Sequence, residues 1–204
     1  MFGKIAADVL GISDVGAVIR PENYDKVDAD DYVLHEDQEK IFFLIKSKSD
    51  EYCFTNQALI HLDGNSAMSK KRVLRRYPYG TYKVTNVSLE TAGTVDLDVE
   101  IKFSLGSETF TIDVHKKHIE ELKDLYKALI KIAEITHEND IALDYAHRSL
   151  EVATTAVSNV HKTEADLAVQ FGAINKSAFE WLTASRKQFK VRDFGAIFER
   201  YINQ

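Results

Sequence analysis

The sequence lacks the features of a disulfide framework, a membrane span or a basic binding surface. Its 204 residues include one cysteine, Cys53, so no disulfide can form within the chain. No apolar run approaches the ~18 residues of a spanning helix. The net charge of −6 argues against general nucleic-acid binding, which usually needs a basic face. The sequence therefore predicts a cytoplasmic protein with no nucleic-acid partner.

Proline and glycine are scarce and unevenly placed. Both prolines and seven of the nine glycines lie before residue 119, and only Gly172 and Gly195 follow it. Turn residues punctuate β structure and are avoided in long helices. This distribution predicts a β-rich first half and a helical second half.

The first half has the periodicity of six or seven short antiparallel strands. We expect strands over 40–46, 51–63 (bent near Asn56), 71–77 and 83–90. The segment 89–118, LETAGTVDLDVEIKFSLGSETFTIDVHKKH, predicts two strands joined by a glycine turn and running into a helix at Ile119. These strands are enough to form a barrel or two packed sheets.

The second half has helical periodicity. Apolar residues spaced by three and four begin at Ile119 and can continue to Val157, as one long helix or two. The sequence predicts a break at 161–163, a helix over 164–189 and a short helix over 191–202. A further amphipathic helix is expected over residues 2–10.

The helical half has a broad apolar surface. A small barrel has little free apolar area with which to cover it. Exposing large aromatic side chains costs roughly 25 cal/mol per Å², and exposed apolar patches usually mark interfaces. Self-association is therefore favoured, and the alternative is a hairpin folded back on its own barrel. The residues expected at an interface between copies are Phe171, Phe179, Trp181, Phe189, Phe194 and Phe198.

Three segments carry a family resemblance: ETAGTVDLDVEIKF, DEYCFTNQALIHLDG and SKKRVLRRYPY. They resemble the bacterial pleckstrin-homology (PH) domain family. From about Ile132 onward the chain resembles the helical oligomerisation region attached to that domain in YvbH-like proteins. Many relatives have a basic residue soon after the Thr-Asn pair, where this chain has Ala58, so any function of that side chain is absent here.

The resemblance implies an α+β fold, a PH-like antiparallel β-barrel capped by a C-terminal helix and followed by an all-α helical hairpin extension. The expected domains are 1–131, a barrel with its N-terminal and capping helices, and 132–204, the oligomerisation region. The resemblance also implies ring-like or higher homo-oligomers, and it brings no catalytic residues with it.

A basic run is the main candidate ligand-binding site: Lys70, Lys71, Arg72, Arg75 and Arg76. Such a run can bind phosphate or anionic lipid head groups. In a strand, however, alternate side chains point to opposite faces, which divides the run. The favoured interpretation is a solvated strand face, paired with the acidic residues Asp96, Asp98 and Glu100 of a neighbouring strand.

No catalytic or metal-binding constellation is present. Asp113, His115 and His118 straddle a strand end and a helix start, and they are better explained as surface residues than as metal ligands. Cys53 lies in the apolar run Tyr52-Cys53-Phe54 and is expected to be a buried small hydrophobe. No nucleophile elbow or phosphate loop occurs. We therefore expect no enzyme activity and no cofactor.

Three functions remain open. The favoured one is a homo-oligomeric interaction module whose ligand is a peptide bound at a sheet edge or beside the capping helix. The second is a peripheral membrane protein that binds anionic lipid through the basic run. The third is an enzyme with an unrecognised site.

Overall fold

The fold is seen in a computed structural model that describes residues 14–64, 72–91, 98–158 and 167–202, with backbone alone at 156, 158, 167 and 168. Several predicted features lie outside these residues: the helix over 2–10, Lys70 and Lys71, Asp96, and the break at 161–163.

The β residues form two antiparallel sheets. The first has five strands in sequential order: β1 (Ala17–Val18), β2 (Ile41–Lys46), β3 (Glu51–Thr55), β4 (Ala58–Asp63) and β5 (Val73–Pro78). The second has three: β6 (Val84–Glu90), β7 (Asp98–Leu105) and β8 (Glu108–His115). Short 3-10 helices at Pro21–Lys26, Asp28–Tyr32 and His35–Asp37 connect β1 to β2, and a fourth, Lys116–His118, follows β8.

The β-hairpin predicted within residues 89–118 is confirmed. Strands β7 and β8 pair antiparallel with Phe103 opposite Phe110, and the turn between them contains Gly106 at φ +61°. That backbone conformation strains residues with a Cβ atom, which explains the glycine.

The predicted bent strand over 51–63 is instead two strands. The Thr55 hydroxyl accepts hydrogen bonds from the backbone N–H groups of Gln57 (3.1 Å) and Ala58 (2.9 Å). A side chain that satisfies two backbone donors stabilises a tight turn. The chain therefore reverses after Thr55, where the sequence suggested only a bend.

The two sheets meet at Gly16. Its N–H donates to the carbonyl of Asp113 (2.8 Å), and its carbonyl accepts from the N–H of His115 (3.0 Å). A Cβ atom at this position would lie 2.8 Å from Cγ2 of Ile45, so the close approach requires glycine. Within the described ranges, hydrogen bonding forms two sheets bridged at Gly16 and does not close them into one cylinder.

Three α-helices follow. Helix α1 (Ile119–Ser158) begins where the sequence predicted and is one long helix of 40 residues. Helix α2 spans Leu167–Phe189, and the short helix α3 spans Gly195–Tyr201. The first turns of α1 bury one apolar face, at Leu122, Leu125, Leu129 and Ile132.

The chain divides into two compact units: unit 1, Met1–Glu134 with Arg192–Gln204, and unit 2, Ile135–Val191. The sequence predicted a division after residue 131 and placed the C-terminal segment in the helical extension. The C-terminal segment lies in unit 1, where it packs on the first sheet. The Phe198 ring stacks on Phe42 at 5.4 Å between centroids, and Phe194 meets Tyr79 edge-on at 5.9 Å.

Candidate functional site

The basic strand β5 is paired with acidic residues. Arg75 lies 3.1 Å from Asp63, and Arg76 lies 2.8 Å from Glu39. Arg72 pairs with Asp28 and lies 3.5 Å from Glu51. The three arginines of the basic run, Arg72 just before β5 and Arg75 and Arg76 within it, are therefore already engaged by carboxylates of the same unit.

The expected partners of this strand were different. Asp98 and Glu100 lie on β7, in the other sheet, whereas β5 pairs with β4. Glu100 instead pairs with Lys102, a residue that also lies 2.9 Å from Glu90. The expectation of an acidic neighbouring row from β7 was wrong because β5 and β7 belong to separate sheets.

Two buried glutamates organise the basic strand, and sequence reasoning missed both. Glu39 is 1% exposed and accepts hydrogen bonds from the Leu34 N–H (2.8 Å), the Thr55 hydroxyl and Arg76. Burial alone would raise the pKa of Glu39, but these hydrogen bonds and the Arg76 charge hold it below the ordinary value. Glu39 stands in a polar stretch, HEDQEK, that gives no sign of burial.

Glu51 has a similar environment. Its carboxylate accepts from the Ala29 N–H at 2.8 Å and from Nζ of Lys46 at 2.5 Å. It thereby fixes the second 3-10 helix to the start of β3. Both glutamates are structural anchors, since buried charges persist only when they are paired and hydrogen-bonded.

Cys53 is fully buried, as predicted for a small core residue. Burial raises the pKa of its thiol, and the nearby carboxylates of Glu39, Asp30 and Glu51 raise it further. Because the thiolate is the nucleophilic form, this environment makes Cys53 unreactive.

The two histidines after β8 have separate roles. Nδ1 of His115 accepts from the Lys117 N–H at 3.2 Å, which caps the short 3-10 helix. Nδ1 of His118 lies 3.3 Å from Glu121, and burial lowers the pKa of His118. Over 14–64, 72–91, 98–158 and 167–202, no three His, Cys, Asp or Glu side chains are grouped to hold a metal ion.

A groove in unit 1 lies beside the first turn of α1. It has a volume of about 310 Å³ and is lined by both apolar and polar residues. The Tyr24 hydroxyl donates to the carbonyl of Phe42 (3.3 Å), which holds one wall in place. The groove lining includes Val18, Ile19, Pro21, Tyr24, Phe42, Phe43 and Ile202 as apolar residues, with Arg20, Glu22, His118, Glu121 and Asp124 as polar ones.

The predicted interface aromatics fall into two environments. In unit 2, Phe171 and Phe179 are each 70% exposed, and Trp181 is 49% exposed although its Nε1 donates to the carbonyl of Ala146 (3.2 Å). Phe189 is half-buried. Phe194 and Phe198 are buried in unit 1, at 2% and 0% exposure, so they are covered within a single chain.

The two helices of unit 2 leave a space between them. A space of about 330 Å³ lies between α1 and α2, lined by Leu150, Ala153, Thr154, Val157, Ala173, Ile174, Ser177 and Ala178. Small side chains therefore face each other across the hairpin without filling it. Among the described residues, no helix is both long and apolar enough to cross a membrane.

Sequence comparison places these two regions in known families. The bacterial PH domain family matches residues 9–133, more than half of the chain. The chain belongs to the bacterial PH domain family. A second family, the YvbH-like oligomerisation region, matches residues 144–204.

Individual relatives agree with this assignment. The chain is 59% identical over 203 residues to the uncharacterized protein YvbH of Bacillus subtilis (strain 168), covering 100% of both chains. It is 32% identical over 95 residues to YjqA of the same organism, covering 46% of this chain and 74% of YjqA. A crystal structure of a PH domain containing protein from Exiguobacterium sibiricum 255-15 aligns with a TM-score of 0.88 and 52% identity, over 93% of this chain and 100% of that one.

Proposed function

We propose that this chain is a homo-oligomeric interaction module, in which unit 2 assembles the copies and unit 1 carries a ligand site. The observation that supports assembly most directly is the exposure of Phe171 and Phe179 on α2. Aromatic residues are enriched at protein interfaces, and contiguous exposed apolar surface marks them. The match of residues 144–204 to an oligomerisation region supports the same proposal.

The ligand site in this proposal is the groove beside the first turn of α1. A groove lined by seven apolar and five polar residues suits a short peptide segment that has an apolar anchor and polar groups beside it. Displaying several such grooves on one assembly would raise the avidity for a multivalent partner well beyond the affinity of one groove. We assign no catalytic role, since neither the sequence motifs nor the two matched families bring catalytic residues.

Membrane binding through the basic run is the weaker alternative. Arg72, Arg75 and Arg76 are paired with carboxylates, and transferring them to a phosphate would break those pairs. Co-sedimentation with vesicles of phosphatidylserine at low salt would favour this alternative. We propose the cytoplasm as the location, in keeping with the single buried thiol.

The test of assembly is the oligomeric state of the full chain, measured by native mass spectrometry and sedimentation velocity. We expect a discrete oligomer, and its mass would show whether the subunit number suits a ring. The variant Phe171→Glu places a charge on the exposed surface of α2 and should dissociate the oligomer. A monomeric wild-type chain at high micromolar concentration would overturn the proposal.

The matched control is Tyr32→Glu, which adds the same charge at an aromatic residue of unit 1 that is 47% exposed. It should leave the oligomer intact. Truncation at Glu134 is a poor test, because it removes Phe194 and Phe198 from the core of unit 1. Equal dissociation by both glutamate variants would show that charge alone, and not the α2 surface, controls assembly.

A further inference from the structure

The described residues give no reason why position 172 of α2 is glycine. It lies in the interior of α2, where glycine costs roughly 1 kcal/mol relative to alanine. Its φ is not in the left-handed region, and a Cβ atom added there would meet nothing within 4 Å. Among the residues that the structure describes, neither backbone strain nor crowding therefore requires glycine at position 172.

Glycines of unit 1 provide the contrast. A Cβ atom would lie 2.5 Å from the Ser49 carbonyl oxygen at Gly64, and 3.1 Å from Oδ1 of Asp193 at Gly195. At these positions another part of the chain approaches the backbone closely. Close approach of another backbone is one reason for glycine inside a helix, and no described part of this chain makes such an approach at Gly172.

The surface around Gly172 has the composition of an interface core. Phe179 lies seven residues later, two helical turns away on the same face, and is 70% exposed. The segment 167–179 contains one charged residue, Lys176, and the opposite segment 149–158 contains one, Glu151. Depletion of charge together with an exposed aromatic residue distinguishes interface cores from ordinary surface.

The charges of the hairpin favour a second copy as the occupant. The segment 135–158 carries four acidic residues and one basic residue, and the segment 167–191 carries four basic residues and one acidic residue. A surface with one acidic and one basic helix is complementary to a rotated copy of itself, as an isologous interface requires. The family match of residues 144–204 to an oligomerisation region points to the same occupant.

We infer that a helix of a second copy packs on the face of α2 formed by Gly172 and Phe179, where Gly172 admits the close approach of the two backbones. This inference rests on the proposed function and adds the contact point. Phe179 is the apolar anchor beside that point. A Cβ atom at 172 would push the two helices apart.

The decisive variant is Gly172→Ala in the full chain, because two effects act in opposite directions. Alanine raises helix propensity, so thermal stability and far-UV helicity of the dissociated chain should stay equal or rise. The dissociation constant of the oligomer, measured by sedimentation velocity over a dilution series, should rise at least ten-fold. The control is Gln188→Ala, an exposed position of α2 that follows Phe179 by nine residues and therefore lies on the opposite side of the helix, and it should leave assembly within two-fold of wild type.

Two outcomes separate this inference from the proposed function. If the wild-type chain forms an oligomer and Gly172→Ala assembles equally well or more tightly, the contact point is overturned while self-association stands. If the wild-type chain is monomeric, both are overturned. Phe179→Ala provides the second check, and it too should raise the dissociation constant at least ten-fold without reducing thermal stability.

Discussion

The two units place the same residue type in opposite environments. Phe198 of unit 1 is fully buried between Phe42 and Tyr79, whereas Phe179 of unit 2 is 70% exposed. Both residues lie on helices of the second half, and the sequence predicted both as interface residues. Helical periodicity thus identifies an apolar face, but it does not identify what covers that face.

The units also differ in whether their charged side chains are buried or exposed. Unit 1 buries Glu39 and Glu51 and satisfies them with several donors. In unit 2, Arg148 pairs with Asp144 one turn away on its own helix, and both side chains are exposed. Unit 1 therefore depends on specific polar contacts for its fold, while charges of unit 2 are available for long-range complementarity.

The largest expected difference between the units comes from phenylalanine truncation. Phe198→Ala leaves a cavity between Phe42 and Tyr79 and should destabilise unit 1 by about 4 kcal/mol. Phe179→Ala should change monomer stability by no more than about 0.5 kcal/mol. Hydrogen exchange of peptides from each unit distinguishes the two variants when it is measured at a protein concentration below that at which the chain assembles. Equal protection loss for both variants would contradict the assignment of Phe198 to the core of unit 1.

A glycine pair gives the next largest contrast. Gly64→Ala places a Cβ atom 2.5 Å from a backbone oxygen that cannot rotate away, and it should destabilise unit 1 by about 2 kcal/mol. Gly172→Ala should stabilise α2 by up to about 1 kcal/mol in the dissociated chain. Urea unfolding followed by circular dichroism measures the loss of stability in Gly64→Ala. For Gly172→Ala, urea unfolding is followed by the fluorescence of Trp181, the single tryptophan, which reports on unit 2.

A pair of acid-to-amide variants should give the smallest effect. Glu39→Gln removes the charge that faces Arg76 and should cost about 1.5 kcal/mol at pH 7. Because the folded pKa of Glu39 is lowered, its stabilisation is complete above the unfolded carboxyl pKa of about 4.3 and is lost as pH falls through the folded value. The difference from wild type should therefore shrink below about pH 4 in urea titrations.

The control for that prediction is Asp144→Asn in unit 2, which breaks an exposed pair. Exposed ion pairs contribute little, so this variant should cost less than about 0.5 kcal/mol at any pH. A pH-independent loss in Glu39→Gln would show that its hydrogen bonds, and not its charge, stabilise unit 1.

Much of the architecture was predictable from the sequence. Alternation over 98–105 and 108–115 predicted the β7–β8 hairpin, and the spacing from Ile119 predicted α1. The turn at 56–57 was not recognised, because it depends on the Thr55 side chain satisfying backbone donors. The burial of Glu39 was not recognised either, because its partners come from positions 34, 55 and 76.

The sequence by itself determined the order of β and helical halves, the start of the capping helix and the family. The first two follow from local periodicity, which acts over one strand or a few helical turns, and the family follows from the resemblance of three sequence segments. Only the tertiary structure shows that Phe194 and Phe198 belong to unit 1, that Arg72, Arg75 and Arg76 are paired within that unit, and that Phe179 is left exposed. The physical reason is that burial and ion pairing depend on contacts between distant segments, which periodicity does not encode.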